Sequence, residues 1–151
     1  GYVSSSSLVH ISNRNGFIRG NTYTTGGLVG YITTSSLNQA SNRGAVTGIS
    51  EAGGLIGYMG PNNLVEDSYF SGELQGSGNN IGGLVGYVLN TTSIIERSYA
   101  ATNLLPTITY SGGLVGQGNI AVNDSYWNIE TSGRNTTAGS GAAPKTTSEM
   151  T

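Results

Sequence analysis

A glycine-rich pentapeptide, Gly-Gly-Leu-Val/Ile-Gly, recurs along this chain of 151 residues. Intact copies occupy 26–30, 53–57, 82–86 and 112–116, and the opening Gly1-Tyr2-Val3 resembles the end of three of these copies together with the two residues after it. The last glycine of each copy falls at position 1, 30, 57, 86 or 116, so the steps are 29, 27, 29 and 30 residues. Repetition at this period is typical of solenoids, whose units bury a core only by stacking on their neighbours. The chain is therefore expected to open in the middle of a repeat.

A second landmark, a serine, runs in phase with the first and predicts three hydrophobic columns. The serine stands at positions 12, 41, 68, 98 and 125, usually with an apolar residue four positions before it and another about six after it. If the units stack in parallel, equivalent side chains lie one above another at about 4.8 Å. The predicted columns are Leu28/Leu55/Leu84/Leu114, Leu8/Leu37/Leu64/Ile94 and Ile18/Val46/Leu74/Leu104.

Composition favours strands over helices. Charged residues make up only 9% of the chain, and Val, Ile, Thr and Tyr outnumber the good helix formers. We predict an all-β fold, a parallel β-solenoid of about five coils of 27–30 residues with three short strands per coil. The solenoid is expected over 1–132, followed by a Gly/Ala/Ser/Thr-rich arm or linker over 133–151. The paired glycines should mark corners that need positive φ or close backbone approach.

Several kinds of function are not favoured by the sequence. The chain has no cysteine, which excludes disulfides and thiolate metal sites. No apolar run is long enough to span a membrane, and a net charge of −2 lacks the basic footprint of a nucleic-acid binder. No cofactor or metal site is predicted, since one histidine and scattered carboxylates do not form a ligand cluster. A signal peptide is also missing, which we interpret as truncation.

One surface candidate is the tyrosine that comes directly after the pentapeptide. Tyr2, Tyr31, Tyr58 and Tyr87 should stack as a ladder on an outer face, and the alternative is that this face is covered by another part of the molecule or by a partner.

A second candidate is a set of charged residues near the serine landmark. Asp67, Arg97 and Asp124 occupy one position in three successive units and predict an ion ladder between coils. Glu66 and Glu96 would stack as like charges, in a column that also holds His10, Gln39 and Asn123. Paired carboxylates can also serve polysaccharide-cleaving enzymes, but the ladder interpretation is favoured. His10 is expected on the surface.

Three sequons for N-glycosylation occur, at Asn90, Asn123 and Asn135. They matter only if the source glycosylates its surface proteins.

Two motifs alternate along the chain: Gly-Gly-Leu-Val-Gly-Tyr, as at 82–87, and Ser-Tyr-x-x-Gly, as at 68–72. Together they resemble the GLUG motif repeat, and the resemblance covers nearly the whole chain. The resemblance implies a segment of a large secreted or cell-surface protein, such as an adhesin or an immunoglobulin A peptidase, without catalytic residues in the repeat. The leading hypothesis is therefore a non-enzymatic extracellular structural or adhesive module that binds a host or cell-surface glycan or protein. One alternative is a filament subunit that binds copies of itself through open solenoid ends. A β-helical polysaccharide enzyme ranks lower.

Overall fold

The computed structural model describes residues 1–104 and 111–151, and these residues form a parallel β-solenoid. Five parallel sheets run along its length, and the chain visits them in the same order in every turn. Four turns visit all five sheets, and a fifth visits the first three before the chain leaves the repeat. The predicted all-β solenoid is confirmed. The prediction of three strands per coil was wrong, because the apolar stretches are broken by corners into shorter pieces.

The strands are short, and each turn contributes one strand to each sheet that it visits. Sheet I contains β1 (Tyr2–Ser4), β6 (Val29–Thr33), β11 (Ile56–Met59), β16 (Val85–Val88) and β21 (Val115–Gln117). Sheet II contains β2 (Ser7–Val9), β7 (Ser36–Asn38), β12 (Leu64–Glu66), β17 (Ile94–Glu96) and β22 (Ala121–Asn123). Sheet III contains β3 (Ser12–Asn13), β8 (Ser41–Asn42), β13 (Tyr69–Phe70), β18 (Tyr99–Ala100), β23 (Tyr126–Asn128) and β24 (Ala143–Lys145). Sheet IV contains β4 (Phe17–Arg19), β9 (Ala45–Gly48), β14 (Glu73–Gly76) and β19 (Asn103–Leu104). Sheet V contains β5 (Thr25–Gly26), β10 (Ala52–Gly53), β15 (Ile81–Gly82) and β20 (Ser111–Gly112). A short helix, α1 (Ile129–Ser132), and a 3₁₀ turn (Thr147–Met150) complete the described elements.

Two of the three predicted hydrophobic columns are confirmed. The leucines of the pentapeptide lie above one another, since each backbone N–H donates to the carbonyl of the next leucine, and Leu55, Leu84 and Leu114 are fully buried. The Ile18/Val46/Leu74/Leu104 column also stands in register on sheet IV. The residue after each leucine is buried as well, as at Val29, because the leucine lies at the bend before the strand and both side chains turn inward.

The third predicted column was wrong by one residue at Leu64 and at Ile94. Leu37 pairs with Val65, not with Leu64, and Val65 pairs with Ile95. Val65 and Ile95 are fully buried, whereas Ile94 is 36% exposed. The cause is a one-residue insertion at the corner between sheets I and II: Tyr31 pairs with a residue 27 positions later, and Leu37 pairs with one 28 positions later. The interior column is Leu8, Leu37, Val65, Ile95 and Val122.

The serine landmark also combines two different positions. Ser41 pairs with Tyr69 on sheet III, so Ser12 and Ser41 belong to the tyrosine column. The equivalent of Ser68 in the second turn is Ala40, whose N–H donates to the Ser68 hydroxyl at 3.0 Å. In the second turn an alanine replaces the buried serine, and Ser41 comes one position later. The serine landmark in the sequence is therefore one residue out of register with the structure in that turn.

Three of the buried serines, Ser68, Ser98 and Ser125, form a relay of hydrogen bonds along the solenoid. Ser68 N–H donates to the Ser98 hydroxyl at 3.1 Å, and Ser98 N–H donates to the Ser125 hydroxyl at 3.0 Å. Each hydroxyl in turn donates to the carbonyl two residues before it, at 2.7 Å. The relay pairs corner N–H groups that are buried away from water.

We expect Ser98→Ala to lower the unfolding free energy by about 1–3 kcal/mol, since it leaves the buried Ser68 N–H without its acceptor. The matched control is Ser12→Ala, an exposed serine on an outer strand, which should change stability by less than about 0.5 kcal/mol. Urea unfolding followed by circular dichroism measures both. Equal stability of the two variants would contradict the structural role of the relay.

The glycine pairs are required by close approach, not by backbone conformation. None of the described pentapeptide glycines has φ in the left-handed region. A Cβ on Gly54 would lie 2.1 Å from the Phe70 ring and 2.3 Å from the Gly83 carbonyl oxygen of the next turn. The second glycine of the pair thus leaves room for the large inward side chain of sheet III, which is Phe70 in the third turn and Trp127 in the fifth.

Residues 133–151 fold back onto the last turn. Gly113 N–H donates to the Thr136 carbonyl, and Val122 N–H donates to the Ser140 carbonyl. Strand β24 then adds to sheet III beside β23, with Trp127 opposite Pro144. We call residues 133–145 the C-terminal arm; it covers strand edges of the last turn. The predicted boundary at residue 132 coincides with the end of α1.

Candidate functional site

The predicted tyrosines lie together on sheet I. Tyr2, Tyr31, Tyr58 and Tyr87 stand in register, with ring centroids 5.0, 4.8 and 5.2 Å apart. The first three rings stack, and the Tyr87 ring is tilted by 39° from the Tyr58 ring. Tyr2 is 68% exposed, and the three others are half-buried. Burial, with smaller contributions from the neighbouring tyrosines, raises the pKa of Tyr58 above its ordinary value. Because each ring lies against the next, this row offers a partner mainly ring edges and hydroxyl groups.

A second row of tyrosines runs along sheet III. Tyr69 and Tyr99 stack with their ring planes only 3° apart and centroids 5.0 Å apart, and Tyr126 comes next in register. Arg43 donates to the Tyr69 hydroxyl at 2.8 and 3.0 Å, and its guanidinium lies over the ring. Sequence reasoning used these tyrosines only as landmarks. The repeated Ser-Tyr pairs, alternating buried and outward, were the signal that could have identified the row.

The row on sheet III opens into a groove at its C-terminal end. Tyr99 and Tyr126 do not stack on each other, although the strands pair them. Both line a groove of about 560 Å³, together with Lys145 of the C-terminal arm and residues of the final 3₁₀ turn. The Lys145 ammonium lies 5.0 Å from the centre of the Tyr126 ring. No sequence signal placed Lys145 there, because its position depends on how the arm folds back.

The charged cluster is centred on Arg97. Its guanidinium contacts Asp67 at 2.7 Å, Glu66 at 2.6 Å and Glu96 at 3.1 Å. The stacking of Glu66 on Glu96 is therefore compensated by the cation between turns, and amides of Asn38 and Asn123 bond to the two carboxylates. Asp124 shares the column of Asp67 and Arg97, but no described contact joins Asp124 to Arg97.

His10 lies at the corner after the sheet II strand, where Asp67 and Arg97 also lie in later turns. Register places His10 and Gln39 in the column of Asp67, Arg97 and Asp124, not in the column of Glu66 and Glu96 as predicted. All five residues adopt positive φ, between 44° and 58°, because the chain turns sharply there. His10 is exposed, and the described residues contain no group of three or more His, Asp or Glu placed to hold a metal ion.

The Arg97 contacts carry a prediction about pH. Hydrogen bonds from Arg97 lower the pKa of Asp67 below its ordinary value. A lowered folded-state pKa means that this interaction stabilises the protein above the unfolded pKa and is lost as the pH falls through the folded value. In Arg97→Gln the pKa of Asp67 should rise towards the ordinary value of an aspartate, as measured by NMR titration of its carboxyl carbon. Arg43→Gln, which removes a guanidinium that bonds to Tyr69 and not to the cluster, is the control. An unchanged pKa of Asp67 in Arg97→Gln would contradict the assignment.

The three sequons lie in different surroundings. Asn90 sits beside an exposed turn, where its side-chain oxygen accepts hydrogen bonds from Thr92. Asn135 is exposed in the C-terminal arm. The Asn123 amide donates to Glu96 at 3.3 Å, and the sequon serine, Ser125, is buried in the relay. Asn123 is itself exposed, but its sequon hydroxyl, on Ser125, is buried, whereas Thr92 of the Asn90 sequon is exposed and Thr137 of the Asn135 sequon is half-buried.

Comparison of the chain with protein-family models, with curated proteins and with solved structures gave no match. Within the described residues, no helix is long and apolar enough to cross a lipid bilayer.

Proposed function

We propose that this chain is a non-enzymatic, extracellular structural and adhesive module of a larger surface protein, which binds a glycan or a protein on its outer faces. The observation that carries the proposal is the pair of tyrosine rows on sheets I and III, which follow the solenoid through successive turns. Tyrosine is favoured in recognition surfaces because it combines a large apolar ring with a hydroxyl and loses little conformational entropy.

The interior supports a structural role for the coils. It is filled by aliphatic columns and closed by backbone ladders, and the buried serines serve backbone N–H groups. Ligands would therefore meet the side chains that point outward and the corners. Repetition of the same outward residues about every 4.8 Å suits weak contacts that add up along an extended partner.

The polysaccharide-enzyme alternative receives less support. The candidate carboxylates for it are Glu66, Asp67, Glu96 and Asp124, and the Arg97 guanidinium holds the first three. An acid catalyst needs a raised pKa, whereas the pKa of Asp67 is lowered.

The filament alternative also receives less support in its head-to-tail form. Such a filament would pair the two ends of the solenoid, and the C-terminal arm already bonds to strand edges of the last turn. Light scattering over a concentration series distinguishes the two hypotheses, because head-to-tail growth increases particle size with concentration.

The proposal is tested by binding of the chain to immobilised oligosaccharides and to coats of extracellular matrix protein. We expect binding that weakens at least about tenfold in Tyr31→Ala/Tyr58→Ala or in a variant of the sheet III row, because aromatic anchors dominate such contacts. Tyr23→Ala removes an exposed tyrosine that belongs to neither row and is the matched control. Failure of the wild-type chain to bind any of these surfaces would overturn the proposal, as would glycan hydrolysis abolished by changing Glu66 or Asp67.

A further inference from the structure

We propose that the groove at the end of the sheet III row, lined by Tyr99, Tyr126, Lys145 and Glu149, is a binding site for a short neutral saccharide. This inference rests on the proposed function and gives it a place and a ligand class. The groove volume of about 560 Å³ lies within the range of ordinary small-ligand sites, roughly 300–1,000 Å³.

The first reason is the break in the tyrosine row. Tyr69 and Tyr99 cover one another, but Tyr99 and Tyr126 separate at the groove although they stand on paired strands. The two residues are 37% and 36% exposed, and both line the groove. A sugar ring is flat and carries C–H groups on one side, and this apolar side packs on an aromatic ring. Within the row on sheet I, Tyr31 has a stacked ring on each side, so its ring faces are covered.

The second reason is the supply of free hydrogen-bonding groups around these rings. The Lys145 ammonium makes no hydrogen bond among the described contacts; it lies over the Tyr126 ring, and its charge adds to the Thr146 hydrogen bonds that lower the pKa of Glu149. Glu149 uses one carboxylate oxygen, Oε2, to accept from Thr146, and its Oε1 has no described partner. The groove therefore holds a donor in Lys145, an acceptor in Glu149 and the two tyrosine hydroxyls. Sugar hydroxyls require donors and acceptors together.

The third reason is the charge. Lys145 and Glu149 carry opposite charges, which favours a neutral ligand over a strongly acidic or basic one. The segment bearing them is fixed by Glu130, which accepts from Thr147 N–H at 2.9 Å, and by Asn128, which donates to the Thr147 hydroxyl at 3.0 Å. The polar groups of the groove are thus held in place before a ligand arrives, which reduces the entropy lost on binding.

The experiment is a titration of the chain with neutral gluco-, manno-, galacto- and N-acetylglucosamine oligosaccharides, followed by NMR shifts and by an immobilised-glycan assay. We expect at least one of them to bind and to shift Tyr99, Tyr126 and Lys145 signals. Tyr126→Ala and Lys145→Gln should each weaken binding at least about tenfold. Circular dichroism verifies that each variant is folded. Lys145→Arg, which keeps the charge and the donors, should restore most of the affinity.

The outcomes separate this inference from the proposed function. Saccharide binding that is lost in the groove variants but kept in Tyr23→Ala supports the inference. Saccharide binding that is unaffected in the groove variants and lost in Tyr31→Ala/Tyr58→Ala overturns the groove and leaves the proposed function intact. Binding of the wild-type chain to matrix-protein coats without binding to any neutral saccharide has the same consequence. No binding to either class of surface overturns both.

Discussion

Replacing Phe70 with alanine is expected to lower the unfolding free energy by about 3–5 kcal/mol, the usual cost of truncating a buried aromatic side chain. Phe70 is fully buried and fills the space above the glycine pair of its own turn, where Gly54 lies against its ring. Neighbouring backbones are fixed by parallel ladders on both sides, so the cavity cannot close by a local shift. Thermal and urea unfolding measure the loss, which corresponds to roughly 10 °C in Tm.

The control for this variant is the other phenylalanine of the chain. Phe17 is 66% exposed on sheet IV of the first turn, so Phe17→Ala should change stability by less than about 1 kcal/mol. The same chemical change at a buried and an exposed position isolates the cost of the cavity. Similar losses for the two variants would contradict the placement of Phe70 in the interior.

The second large effect is expected from Gly86→Ala. A Cβ on Gly86 would lie 2.5–2.7 Å from backbone atoms of Glu51, Ala52 and Gly57. Backbone atoms in a paired sheet cannot move as a flexible side chain can, so the new methyl group must push apart two neighbouring turns. We expect a loss of about 3 kcal/mol or more, at the upper end of the cost of overpacking, measured by urea unfolding.

Gly30→Ala is the matched control for this variant, because Gly30 holds the same place in its pentapeptide. Its nearest contact for a Cβ would be the Gly1 carbonyl oxygen at 3.1 Å, a distance that a small shift relieves. We expect a loss of less than about 1 kcal/mol. Equal tolerance of alanine at the two positions would show that the turns are less closely packed than described.

The repeat itself carried most of the information about the fold. The pentapeptide predicted the parallel stacking, the leucine column and the tyrosine row on sheet I, because each depends on one residue type that returns at a constant place in every turn. The number of strands per turn could not be predicted in the same way. Strands of two or three residues, as at Tyr69–Phe70, are too short to show a period of their own.

Errors in the predicted columns arose where single residues are inserted at corners and where a landmark is displaced. The Leu64 and Ile94 assignment was counted back from a serine. In the second turn Ala40 takes the place of the buried serine and Ser41 takes the place of the tyrosine, so the count was one residue out. A shift of one residue exchanges the inner and outer faces of a strand. The groove was beyond sequence reasoning, since Lys145 and Glu149 reach it only through the fold of the C-terminal arm.

The number of residues per turn changes along the solenoid, although the strands stay paired. Turn-to-turn separations vary between 27 and 30 residues, yet strands such as those of Tyr58 and Tyr87, or Leu74 and Leu104, remain aligned. The extra residues lie at the bends between strands, where they lengthen the surface turns and leave the strand pairing unchanged. Selection can therefore reshape the periphery of such a protein, one loop at a time, at almost no cost to the scaffold beneath.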